Sequence, residues 1–146
     1  MALKDARGNL LGTDSAAARD AAETALWRMM SFYDPPLPDL DRAIAHDPHW
    51  PLPHVMKAGF LLSLTEPSMV PDARSHLERA QSLLAAAPLR EHAHWEGAER
   101  VFRSSARSLE SESVIVASVD RFTCMLQRQG YAATVAREVQ SRSLRP

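Results

Sequence analysis

The sequence predicts an all-α chain of antiparallel helical hairpins stacked into a short right-handed solenoid. Three observations carry this. From Ser15 to Phe102, apolar and alanine positions recur at spacings of three and four, the period of a helix face. The 10 prolines fall mostly between those stretches, and only 5 glycines are present. Two segments, LDRAIAHDPHWPLPHVMKAGF and SHLERAQSLLAAAP, also match each other. Each is a helix with small residues inside, closed by proline and followed by another helix. Ala43 and Ala80 lie 37 residues apart, and Pro48 and Pro88 lie 40 apart, a period proper to helical-hairpin repeats.

Residues 1–12 read as a polar lead with turn glycines at Gly8 and Gly12. A first helix follows from about Ser15 to Tyr33. Ala18, Ala22, Ala25, Met29 and Phe32 share one face of it, and Thr13, Asp14 and Ser15 are candidate N-caps. Asp34-Pro35-Pro36 ends it, because proline disfavours helix in the residue before it. A short second helix covers about Pro38 to His46, with Leu37, Leu40 and Ile44 on one face, and Asp47-Pro48 closes it. A third helix, about Pro53 to Leu64, contains VMKAGFLLSL and is apolar nearly all round, so it is expected to be the most buried. Thr65 to Val70 is a loop. The fourth helix runs from Pro71 to near Ala87 with Ala73, Leu77, Ala80 and Leu84 facing inward, and Arg74 and Glu78 form an i, i+4 pair on the other side. A fifth starts near Leu89 and passes Phe102, with Trp95, Ala98 and Phe102 on one face.

The pattern changes after residue 102. RSSARSLESES suits a frayed helix or a loop. VIVASV is β-branched, but extended to residue 126 it gives the helical stripe Ile115, Val119, Phe122 and Leu126. The charge changes sign at the same place. Residues 1–102 carry 10 basic and 14 acidic groups, whereas residues 103–146 carry 7 arginines and 4 acidic groups. Residues 1–102 are therefore read as a helical repeat region and 103–146 as a divergent helical segment, a possible cap.

The net charge of -1 argues against a general affinity for nucleic acid or an anionic membrane. Cys124 is the only cysteine, so no intrachain disulfide can form, and a reducing compartment, the cytoplasm, is expected. No apolar run approaches the ~18 residues of a membrane span, and MALKDARGNLLG lacks a hydrophobic signal core.

In order, DARGNLLGTDS, LDRAIAHDPHWPLPHVMKAGFLL and ARSHLERAQSLLAAAPLREHAHWEGAERVF resemble the N-terminal part of the tetratricopeptide repeat protein 38-like family, over about residues 5–102. An A-x-x-x-DP element at Ala43 to Pro48 and an RE-x-x-H element at Arg90, Glu91 and His94 carry most of the likeness. The resemblance implies a tetratricopeptide-like α-helical solenoid and brings no substrate or mechanism. Family members continue with a glycine turn, another alanine-bearing helix and a P-x-D element. Residues 103–146 show no glycine before Gly130 and no proline before Pro146. The expectation is either a divergent cap or a truncated or frame-altered form of a longer chain.

Candidate chemistry is sparse. His92 and His94 are two residues apart, so on a helix they diverge by about 200° and cannot form the i, i+4 pair of zinc helices. His46 and His49 flank a helix end, where histidine can cap carbonyls. Glu91 and His94, at i, i+3, are an acid–base pair only if a nucleophile or cofactor stands nearby. No serine-nucleophile, phosphate-loop or dinucleotide motif is present. The competing reading is that Arg90, Glu91 and His94 lock neighbouring hairpins together. Cys124, beside Phe122, Met125 and Leu126, reads as a core thiol. Arg137, Arg142 and Arg145 lack the interleaved aromatics of a nucleic-acid site. Trp27, Trp50 and Trp95 read as packing anchors, and Trp50, between Pro48 and Pro51, is expected to be partly exposed.

These readings converge on a protein–protein interaction scaffold without catalytic activity or cofactor. The concave face is expected to come from the helices near residues 15–33, 53–64 and 90–103, and to receive a protein or peptide partner. Trp50, Lys57, Arg90 and His94 are the expected partner-facing residues, and no metal ligands are expected. The alternative is a small-molecule- or metal-binding enzyme built on the histidine-bearing helix around 90–103. A homodimer through an uncapped solenoid end is a further possibility.

Overall fold

The computed structural model describes residues 3–109, with side chains described through residue 105. Its elements are α1 (Ala16–Ser31), α2 (Leu37–His46), α3 (Pro51–Ser63), α4 (Val70–Leu83) and α5 (Leu89–Leu109). Single 3-10 turns precede and follow α4, at Pro67–Met69 and Leu84–Ala86. Among the described residues there is no β-strand, only one antiparallel bridge between Lys4 and Leu10. The divergent segment from residue 110 onward, including Cys124 and the tail arginines, lies outside the described residues.

Local chemistry explains each boundary. Ser15 is the N-cap of α1, and its hydroxyl accepts the Ala18 N–H. α1 ends at Phe32, which takes a left-handed conformation (φ 52°) and donates its N–H to the Arg28 carbonyl. α3 begins two residues earlier than the sequence suggests, at Pro51. Both Pro51 and Pro53 fit within the first turn, where a missing N–H leaves no helical bond unmade. α5 is unbroken from Leu89 to Leu109, so the serine- and arginine-rich stretch through residue 109 is helix, and the sequence boundary at 102/103 falls inside one element.

α1 packs on α2, α3 on α4, α2 on α3, and α5 on both α3 and α4. Two apolar clusters result. Ala18, Ala21, Ala22, Ala43, Trp50, Leu52 and Leu11 join the first pair to the start of α3. Val55, Ala58, Leu61, Leu62, Ala73, Leu77, Ala80, Ala98 and Phe102 join α3, α4 and α5. Ala18, Ala25, Ala43, Ala58, Ala73 and Ala80 are all fully buried. Such small side chains let helix axes approach closely, which is why the alanine stripe marks the contacts.

Polar ties fix the pairs. Asp39, on α2 and 1% exposed, receives Arg28 of α1 at 2.8 Å and also Arg42. The Trp95 Nε1–H donates to the Leu77 carbonyl at 3.0 Å, and the Arg74 guanidinium lies 4.9 Å over the Phe102 ring, both joining α4 to α5.

Candidate functional site

The N-terminal segment is more than a polar lead. Asp5 N–H donates to the Asn9 carbonyl and Leu11 N–H to the Leu3 carbonyl, closing a small hairpin with Gly8 at φ +87° in its turn. Gly12 sits at a bend and does more than turn the chain. A Cβ there would sit 2.7 Å from Glu91 Oε2 and 3.0 Å from Pro88 Cδ, so glycine is required for close approach to α5.

Glu91 sits at the centre of that approach. It is 1% exposed, and its Oε1 accepts the Gly12 N–H at 2.8 Å and the Trp50 Nε1–H at 2.9 Å. One carboxylate oxygen thus ties together the N-terminal segment, the cap of α3 and the first turn of α5. Oε2 is buried with no hydrogen-bond partner. Burial raises the Glu91 carboxyl above its ordinary range, against the Trp50 and Gly12 hydrogen bonds and the charges of Arg90 and His92, which favour the anion.

A second buried acid stands beside it. Asp5 Oδ1 accepts the N–H groups of Arg7 (2.9 Å) and Asn9 (2.8 Å), and Oδ2 receives Arg7 at 3.3 Å and Arg90 at 3.0 Å. Burial alone would raise its carboxyl, but the Asn9 hydrogen bonds and the Arg7 and Arg90 charges outweigh it and hold it below the usual range. Arg7 continues to Glu23 on α1 at 3.0 Å. His94, one turn along α5 and 4% exposed, is lowered to about 4 by burial and by the Arg90 and Arg7 charges, against Asp5.

Asp5, Arg7, Glu23, Arg90 and His94 border one concavity. Its walls come from α1 (Arg19, Ala22, Glu23, Leu26, Met29), α3 (Leu52, Val55, Met56) and α5 (Arg90, His94, Ala98), with the N-terminal segment closing one end. It spans about 610 Å³, much of it open to solvent. Among the described residues, the lining offers apolar groups, acids, arginines and one histidine, and neither a thiol nor a hydroxyl. Three or more histidine, cysteine or acidic side chains arranged for a metal ion occur nowhere among the described residues.

The structure brings Trp50, Arg90 and His94 together here but does not place Trp50 as expected. Trp50 is 1% exposed, the largest fully buried side chain, because its loop is the N-cap of α3 and its indole turns inward to Glu91. It supports the floor and has no free face to offer. Lys57 lies outside the concavity, paired with Asp41 of α2. Of the locking group, Glu91 holds Gly12 and Trp50, and Arg90 pairs with Asp5 of the N-terminal segment. Arg7, Arg19, Glu23 and Met56 were not singled out from sequence. The available signal was Arg19 and Glu23 at i, i+4 beside the apolar face of α1. A sequence pattern could not show Gly12 and Trp50 meeting Glu91, because those contacts span 79 and 41 residues.

No family model, curated protein or solved structure matches this chain. No described helix is long and apolar enough to cross a membrane.

Proposed function

We propose that the chain is a protein–protein interaction scaffold of the tetratricopeptide type, without catalytic activity, working in the cytoplasm. In this reading α1–α2 and α3–α4 are successive hairpins and α5 opens a third, as in a short right-handed solenoid and in line with the resemblance carried by Ala43 to Pro48 and by Arg90, Glu91 and His94. One observation carries the reading. The first helix of each pair, α1 and α3, lines the same concavity as α5, while α2 and α4 do not. A shallow apolar trough with an arginine-bearing rim suits an extended peptide or one face of a helix, whose side chains enter from above. Arg19, Met56 and Arg90 are the contacts, over a floor held by Trp50.

The enzyme alternative draws support from Glu91, a buried acid with a raised pKa beside His94. Its geometry favours a lock instead. Oε1 is occupied by two protein N–H donors, and Gly12 closes on Oε2. The test is selection of peptides from a displayed library on the immobilised chain, followed by binding to Met56→Glu, Arg19→Glu and Arg79→Glu variants. The first two should weaken binding at least tenfold at unchanged melting temperature, and Arg79→Glu, on α4, should leave it intact. Equal binding by all three, or loss only in the α4 variant, would overturn the assignment.

A further inference from the structure

The two helices of the second pair face each other through a contact that no sequence motif announced. His54 of α3 and His76 of α4 bring their Nδ1 atoms to 3.0 Å, with ring centroids 5.3 Å apart. Two nitrogens at that distance share one proton, since one must donate and the other accept. The tautomers follow from burial. His54 is 6% exposed, and its Nε2 is buried without a partner. A bare lone pair there costs less than a stranded N–H, so His54 carries its proton on Nδ1 and donates to His76 Nδ1. His76 is half-buried and carries its own proton on Nε2.

That arrangement has no place for a second proton. Added to His76 Nδ1, it confronts the His54 N–H head-on. Added to His54 Nε2, it puts a charged donor where nothing accepts it. No third histidine, cysteine or acid joins the two in a group that could hold a metal ion among the described residues. We propose that His54 and His76 form an acid-released clasp between α3 and α4, closed while both rings are neutral and opened by proton uptake.

The surrounding charges act in the same direction on balance. For His54, burial is followed by His76, by Arg79 of α4 and by Lys57 of α3, and together they lower its pKa from 6.5 to about 4. For His76, burial and Lys57 lower the value, against Asp41 of α2 and Asp72 of α4. A base whose folded value lies below its unfolded value is protonated first in the unfolded chain. Stability is therefore complete above pH 6.5 and is lost as the pH falls from there toward about 4. Because α3 also forms one wall of the concavity, releasing α4 frees the back of that wall.

Two measurements on the full chain test the clasp. Imidazole nitrogen NMR should show His54 with its proton on Nδ1, His76 with its proton on Nε2, and His54 titrating near 4. Urea unfolding from pH 7.5 to 4.5 should show the wild-type unfolding constant rising more steeply with acid than that of His76→Gln, by up to about tenfold per pH unit. Glutamine keeps a hydrogen-bonding side chain that does not titrate, so this variant tests the proton and not the packing. His94 titrates in the same range in both proteins and cancels in the comparison. A His54 midpoint near 6.5, or equal slopes for the two proteins, would overturn the proposal. If His76→Gln does not fold, the NMR titration of the wild type alone decides it.

Discussion

Glu91 Oε1 takes the Gly12 and Trp50 N–H groups, so truncating the side chain strands two donors at once. Glu91→Ala is expected to cost about 2–5 kcal/mol in denaturant unfolding. Glu91→Gln keeps an acceptor oxygen and should cost less, with a pH signature. Burial raises the Glu91 carboxyl above 4.5, so the folded chain holds that proton to higher pH than the unfolded chain does. Wild-type stability therefore falls as pH rises through the raised value, while the glutamine variant has nothing there to ionise. The variant should gain on the wild type as pH rises above 4.5, and parallel stability curves would contradict this. Gly12→Ala is expected to cost about 1–3 kcal/mol, because its Cβ would sit 2.7 Å from the buried Glu91 Oε2 and 3.0 Å from Cδ of the Pro88 ring. An unchanged melting temperature would show that the segment swings clear.

At the scale of elements, α1 and α2 carry two devices of opposite sign. Asp39 is 1% exposed between Arg28 and Arg42, whose side chains are 30% and 60% exposed. Both arginines can return to water, so Asp39→Asn should cost only about 1–3 kcal/mol, below the loss for a wholly buried pair. Phe32 closes α1 at φ 52° with an 89% exposed ring. A left-handed cap suits glycine, and this ring gains little by burial, so Phe32→Gly is expected to stabilise by about 0.5–1 kcal/mol. A loss of stability would show that the exposed ring makes a contact worth more than its backbone strain. The helices themselves were largely legible, because each is written locally. The alanine stripe, the serine cap and the prolines at Asp34-Pro35-Pro36, Asp47-Pro48 and Pro88 fix them within a turn. The start of α3 was misplaced because a first-turn proline looks like a breaker, and the end of α5 stayed open between helix and loop because serine and arginine leave no apolar stripe.

For the whole molecule, what stayed hidden in the sequence was contact between distant residues. Trp50 looks like an exposed loop aromatic until its acceptor, 41 residues away, is seen. His54 and His76 look like two ordinary helix-surface histidines until α3 and α4 are packed together. The concavity was half legible. Its three helices follow from hairpin order, and Arg90 and His94 follow from the fifth helix. The parts supplied by Arg7 and by the N-terminal segment depend on how residues 3–12 fold back onto α1 and α5. Backbone amide shift mapping with a peptide selected on the chain tests the binding face most directly. Docking in the trough should move amides of α1, α3 and α5 around Arg19, Met56 and Arg90 and leave the outer faces of α2 and α4 still. Perturbations concentrated on α2 and α4, with α1, α3 and α5 unmoved, would contradict it.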